Sequence, residues 1–269
     1  LIHLDAITSA GKYYLQKQNR SIGAPVSDII ECAVQSLGLN DVTPFINNEK
    51  IIDYAVMDKN DDMFDKDFLE SVSLNTPAPG GGSVSALSGS LGSALCSMVA
   101  SLTHEKKDML HNRLIMEEIG VKAQELKDDL AHLVSEDCRA FNKVLDAARL
   151  PAISVQDKKE KTKNILLANK YAAEIPYQAA KKCYEVMQLA EILIDKGNPS
   201  SLTDAGVASE VAFAGLRGGC MNVLINLPEV IDKPYINQKQ KDVNNLLKKG
   251  EKLNRKLFKK TISSLEMMG

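Results

Sequence analysis

Between Glu70 and Glu105 the chain carries no Asp, Glu, Lys or Arg, and this uncharged run leads off with Thr76-Pro-Ala-Pro-Gly-Gly-Gly-Ser83. Pro77 and Pro79 forbid a helix there, because each lacks an N–H and fixes φ. Gly80, Gly81 and Gly82 then admit backbone conformations that other residues avoid. Ser83 is placed to cap the helix that follows, expected over Val84 to Thr103. Val84, Leu87, Leu91, Leu95, Met98 and Leu102 recur along it at helical spacing. Ser, Gly and Ala fill the other faces, which predicts a helix buried on all sides with its neighbours close against it. Its first turn would offer backbone N–H groups beside the loop, a ready anion site. The serines argue against a membrane span, and no Lys follows the glycines as a P-loop requires. A purely structural helix leaves three consecutive glycines unexplained, since ordering them costs entropy. The pattern favours a functional loop.

A chain of 269 residues holds one large domain, or one domain and a smaller piece. A net charge of −2 gives no pointer to nucleic acid or to a membrane. Cys32, Cys96, Cys138, Cys183 and Cys220 are dispersed, odd in number and without a C-x-x-C pair. They read as reduced thiols in the cytoplasm, not as a disulfide frame. The chain starts at Leu1 with neither Met nor a signal segment, so it reads as a piece of a longer one.

The first 57 residues look like a separate unit. Leu4 to Gln18 is amphipathic, Pro25-Val26-Ser27-Asp28 opens a second helix, and Gly38 stops it. Ile51 to Val56 is expected as a short extended run, and Asp58 to Asp67 as an acidic linker. Beyond it the pattern is almost wholly helical.

A helix expected over Asp108 to Leu150, ended by Pro151, carries the stripe Leu126, Leu130, Leu133, Val134, Phe141, Val144 and Leu145. Where spacing demands a buried apolar residue, the chain has Asp137. A carboxylate on an apolar face is costly unless paired, and its pKa should rise, as a general acid or base near neutral pH requires. Pairing with a Lys, an Arg or a helix N-terminus is the equally weighted structural alternative.

The loop Gly197-Asn198-Pro199-Ser200-Ser201 precedes another helix rich in small residues, with Asp204 in its first turn. Asn222 and Asn226 lie four apart on one face of it, suited to a polar ring or, more simply, to a neighbouring backbone. His3, His104, His111 and His132 are isolated, and no metal motif or Gly-x-Ser-x-Gly elbow is present. The basic stretch from Lys239 to Lys260 is expected as a docked amphipathic helix with a solvated cationic face.

Several of these segments together resemble the formiminotetrahydrofolate cyclodeaminase family. They are Thr76 to Ser83, Ser97-Met-Val-Ala-Ser-Leu-Thr103, Glu136-Asp-Cys-Arg-Ala-Phe141, the Gly197-Asn198 loop with Asp204, and Phe213 through Asn222-Val-Leu-Ile-Asn226-Leu. The resemblance runs from Asp62 to the C-terminus. Tyr13-Tyr14-Leu15-Gln16-Lys17, Gln35-Ser36-Leu37-Gly38-Leu39 and Pro44-Phe45 resemble the end of a glutamate formiminotransferase domain and its linker.

That resemblance implies an all-α, up-and-down bundle over 58–269 after a transferase remnant at 1–57. The active site would lie at a homodimer interface, within larger assemblies of dimers. The implied reaction is that of an ammonia-lyase of histidine degradation and one-carbon metabolism. It closes 5-formiminotetrahydrofolate, polyglutamylated or not, to 5,10-methenyltetrahydrofolate and releases ammonia. The family's catalytic Asp, in its Asp-x-Arg-Ala-Phe pattern, falls on Asp137. Substrate binding is expected at Pro79, Gly80, Gly81, Gly82, Ser83, Lys106, Lys107, Asn198, Asp204, Asn222 and Asn226, with no cofactor and no metal. The family often has Gly and a basic run after the equivalent of Thr103, where this chain has Glu105 before Lys106 and Lys107. Two rival readings are a methenyltetrahydrofolate cyclohydrolase and a non-catalytic helical oligomerisation module.

Overall fold

A computed structural model describes residues 1–18, 26–56 and 67–267, which fall into two compact units, Leu1–Pro77 and Ala78–Gly269. In the first unit, α1 (Leu4–Lys17) and α2 (Val26–Ser36) pack Ile7 against Ile30, Ala33, Val34 and Ile51. Gly38 follows α2 with φ +65°, a left-handed conformation that ends the helical path. α3 (Asn47–Lys50), α4 (Ile52–Ala55) and α5 (Asp67–Ser73) are short. The extended run expected from Ile51 to Val56 is not formed. Ile51 alone makes a bridge to Ile2, and the next four residues turn helical. Asp53, inside that turn, accepts from the Leu4 N–H at 2.6 Å where α1 begins. Pro25, residues 58–66 of the expected linker and the boundary at 57 lie outside the described residues.

In the second unit the long apolar periodicities become α6 (Gly81–Glu105), α7 (Arg113–Arg149), α8 (Val155–Lys196), α9 (Leu202–Asn226) and α10 (Lys233–Glu266). They run alternately up and down around one core. The helix expected from Asp108 is interrupted, because Lys107–Asn112 forms a 3-10 turn with Met109 out of helical geometry. α7 ends just ahead of Pro151, since the residue before a proline is disfavoured in helical conformation. Ser154 and Asp157 then cap α8 reciprocally.

α6 is centrally placed and its neighbours come close at its small residues, as expected, but it is not buried on all sides. The small residues point inward: Gly82, Ser85, Gly89, Ser90, Gly92, Ser93 and Ser97 are buried. An added methyl on Gly92 would stand 2.7 Å from the Ala208 carbonyl of α9, so the two backbones meet only because both sides are small. The serines bind α7: Ser90 donates to the Lys127 carbonyl (2.9 Å) and Ser93 to that of Ala123 (2.7 Å). Gln124 donates to Ser97 at 2.8 Å. The large residues Val84, Leu91, Met98 and Leu102 face out. α6 is long and apolar enough to cross a membrane, yet most of it is buried inside the bundle.

The basic C-terminal stretch also departs from expectation at one point. Lys239 is buried, not solvated: its ammonium pairs with Glu174 (2.7 Å) and sits 4.0 Å from the centre of the Tyr177 ring. Its long-range neighbours on α8 decide this.

Candidate active site

The Gly-rich loop enters α6 directly. Gly80 is extended (φ −132°, ψ −157°) and precedes the first helical residue, Gly81, so Ser83 is the third residue of the helix and not its cap. Gly80, at the N-cap, has no side chain with which to cap this end. A carboxylate from another helix stands there instead. Asp137, midway along α7, accepts from the Ser83 hydroxyl at 2.9 Å, and the Ser83 backbone N–H acts on the same carboxyl. An added methyl on Gly82 would lie 2.6 Å from Asp137 Cγ, so glycine is required for the carboxylate to occupy this position.

Burial raises the Asp137 carboxyl above the ordinary carboxylate range, and the hydroxyl and N–H of Ser83 pull it back down. The neighbouring Glu136 moves the other way: the Tyr171 hydroxyl donates to it at 2.5 Å and Arg139 pairs with it, which holds it low. Two successive carboxylates on one helix therefore have opposite environments. Asp137 joins the stripe facing α6, while Glu136 points about 100° away.

Asn222 of α9 completes this end of the bundle. Its Nδ2 donates to the Gly218 carbonyl (2.8 Å), and the same atom would lie 3.2 Å from a methyl added to Gly81. Pro79, half-buried after a cis Ala78–Pro79 bond, leads into the loop. Asn226, one turn beyond Asn222, donates to the Ala172 carbonyl at 2.9 Å.

The remaining expected binding residues gather elsewhere. Lys106 donates to Asn198 Oδ1 (3.0 Å) and lies 3.8 Å from Asp108. The Asn198 N–H donates to Thr103 (2.9 Å), which joins the start of α9 to the end of α6. Asp204 is half-buried in the first turn of α9, and Lys107 is exposed. α6 spans 25 residues, or about 37 Å at the helical rise. Within the chain the Lys106–Asn198–Asp204 end and the Asp137 end are thus at opposite tips of the same helix.

The side-chain bond from Ser83 to Asp137 was not legible in the sequence. Asp137 falls on a stripe expected to be buried, but Ser83 reads as the cap of a helix expected from Val84. Two open grooves lie apart from this site. One, about 520 Å³, runs between α7 and α8 beside Lys143 and Tyr171; the other, about 620 Å³, runs between α6 and α7 beside Ser101 and Gln124.

Residues 65–245 match the formiminotransferase-cyclodeaminase family, and residues 1–57 match the formiminotransferase domain. A methenyltetrahydrofolate cyclohydrolase from Methylorubrum extorquens is 34% identical over 191 residues, covering 71% of this chain and 92% of that protein. The formimidoyltransferase-cyclodeaminase of Rattus norvegicus is 29% identical over 256 residues, covering 93% of this chain but 47% of the relative. The chain therefore spans about half the length of that relative. The crystal structure of formiminotetrahydrofolate cyclodeaminase from Thermotoga maritima superposes with a TM-score of 0.62 at 28% identity, over 76% of this chain and 96% of that one. By the extent of the family match and the relative at 34% identity, the chain belongs to the formiminotransferase-cyclodeaminase family.

Proposed function

We propose that the bundle is an enzyme of folate one-carbon chemistry, a cyclodeaminase that closes 5-formiminotetrahydrofolate to 5,10-methenyltetrahydrofolate and releases ammonia. The observation that carries this reading is Asp137, a half-buried carboxyl raised by burial at the mouth of the Gly80–Ser83 loop. Ring closure needs one such group. N10 attacks the formimino carbon on N5 and loses its proton. The imino nitrogen must gain two protons, that one and one more from solvent, to leave as ammonia and give the methenyl cation. A carboxyl that burial holds above the ordinary carboxylate range can accept the N10 proton and deliver it to the departing nitrogen. Gly81, Gly82 and Asn222 would face the substrate beside it.

A second reading, methenyltetrahydrofolate cyclohydrolase, is favoured by the 34% identity to the Methylorubrum enzyme. There Asp137 would take a proton from the water that attacks the methenyl carbon. The match of residues 1–57 to the formiminotransferase domain favours the first reading, since such a domain makes the formimino compound that a cyclodeaminase consumes. Under that reading the enzyme serves histidine degradation in the cytoplasm.

The proposed enzyme is a homodimer, joined through the outward apolar faces of α6 and α9. Leu91 is 56% exposed and Ile225 is 71% exposed in the single chain, in line with Val84, Met98, Val207 and Met221. Crossing α6 antiparallel to its copy would bring the Lys106–Asn198–Asp204 end of one protomer toward Asp137 of the other, and so reunite the two groups of binding residues. The deciding experiment supplies 5-formiminotetrahydrofolate and 5,10-methenyltetrahydrofolate separately and follows the methenyl absorbance. A cyclodeaminase raises it from the first compound. A cyclohydrolase only consumes the second.

A further inference from the structure

Ser83 is fully buried, and its Oγ has two acceptors in reach: Asp137 Oδ2 at 2.9 Å and the Val134 carbonyl at 3.2 Å. Cys138 Sγ is a third neighbour, at 3.5 Å. A hydroxyl has one proton and can donate to only one of these acceptors at a time. We infer that Ser83 is a positioning residue whose hydroxyl rotates between Asp137 and Val134, so that Asp137 stays in one orientation whether or not it is protonated.

While Asp137 is a carboxylate, the Ser83 proton points at Oδ2, and the serine oxygen is left to accept from the Cys138 thiol. Once Asp137 gains a proton it becomes a donor to the serine oxygen, and the hydroxyl turns its own proton to Val134. The Val134 carbonyl has a second lone pair for this beside its helical bond. No covalent bond on Ser83 changes, and the proton gained by Asp137 comes from substrate or solvent. In neither state is a buried polar group left without a partner, an omission that proteins rarely tolerate. Among the described residues no charged side chain acts on this carboxyl. α6 presents Gly82 and Ser83, α7 adds Val134 and Cys138, α9 offers Asn222 near the loop, and Glu136 is turned toward Tyr171 and Arg139. The hydroxyl is therefore the side chain that tunes Asp137.

The functional importance of this device rests on the reading of Asp137 as the proton carrier, but the device is testable without turnover. The full chain is labelled with 13C at its Asp carboxyls, Asp137 is assigned by its loss in Asp137→Asn, and its titration is followed by NMR in wild type, Ser83→Ala and Ser83→Thr. Ser83→Ala should move the Asp137 midpoint up by about one pH unit, because the carboxylate loses its side-chain donor. Ser83→Thr, which keeps the hydroxyl, should return it. In the methenyl assay the pH limb of kcat should move with the midpoint while KM changes little. An unmoved midpoint in Ser83→Ala overturns the inference, whatever the threonine variant does. A shifted midpoint in a protein that turns over no folate upholds the role of Ser83 and removes the folate reading instead.

Discussion

The side-chain amide of Asn226 donates to the carbonyl of Ala172, and Pro176 is the reason that carbonyl needs a donor. In a continuous helix the Ala172 carbonyl would accept from the N–H of residue 176, but proline has none. α8 nevertheless runs unbroken from Val155 to Lys196 through a buried Pro176. The amide from α9 takes the place of the missing N–H and fastens the two helices beside the candidate site.

Asn226→Ala should therefore lower stability by about 1–3 kcal/mol, the usual cost of orphaning a buried acceptor, and leave turnover per folded molecule within about tenfold. Pro176→Ala restores the N–H. In that background the same Asn226→Ala change should cost clearly less, as denaturant unfolding of the four proteins will show. Equal costs in both backgrounds would return Asn226 to the list of substrate contacts.

Gly81 and Gly82 are neighbours with unequal tolerance. A methyl on Gly81 meets only the end of the Asn222 side chain, while one on Gly82 enters the Asp137 carboxyl. Gly82→Ala should displace Asp137 and reduce kcat by at least about tenfold, alongside a lowered thermal midpoint. Gly81→Ala should keep both near wild type. Similar kinetics for the two variants would mean that the packing of Gly82 against Asp137 does not set the site.

Asp137 was legible in the sequence because a helical stripe that includes Leu130, Leu133, Val134 and Phe141 leaves one polar gap, and periodicity alone locates it. The direction of its pKa followed from burial. The start of α6 was misjudged because local capping rules place Ser before a helix, whereas here Asp137 from a distant segment faces the first turn. The close approach of other helices to the small residues of α6 was legible, but its burial on all sides was not realised, since Val84, Leu91, Met98 and Leu102 stay exposed in the single chain. The burial of Lys239 depends on Glu174 and Tyr177 of α8, and no local pattern encodes those partners. The opposed tips of α6 were likewise hidden, since motif order says nothing about how far apart Gly80 and Asn198 will lie.

The outward faces of α6 and α9 make a direct prediction about assembly. Leu91→Glu combined with Ile225→Glu places charge on surfaces that should be buried between copies, at a penalty that unpaired burial makes large. Wild type should scatter light as a dimer or a multiple of dimers at micromolar concentration, and the double variant as a monomer with a near-normal helical spectrum. A monomeric wild type would remove the dimer and with it the pairing of the two binding ends.

The raised carboxyl of Asp137 has a signature in stability. Its folded pKa lies above its unfolded value. Between the two, the folded protein keeps a proton that the unfolded chain has released, so this group's contribution falls as pH rises. Compared with Asp137→Asn, wild type should lose thermal stability progressively from about pH 4, the ordinary Asp value, up to the folded pKa. A difference in thermal midpoint that is flat or grows with pH would contradict the assignment.

The central claim is that Asp137 carries the proton in folate ring closure, and the most direct test is the methenyl absorbance assay on wild type and Asp137→Asn with 5-formiminotetrahydrofolate. Wild type should generate 5,10-methenyltetrahydrofolate. The nearly isosteric variant should fold normally and lose about 10²- to 10⁴-fold in kcat, the scale expected for removal of a general acid–base group. A folded Asp137→Asn protein that turns over within about tenfold of wild type would show instead that the carboxylate only closes the end of α6.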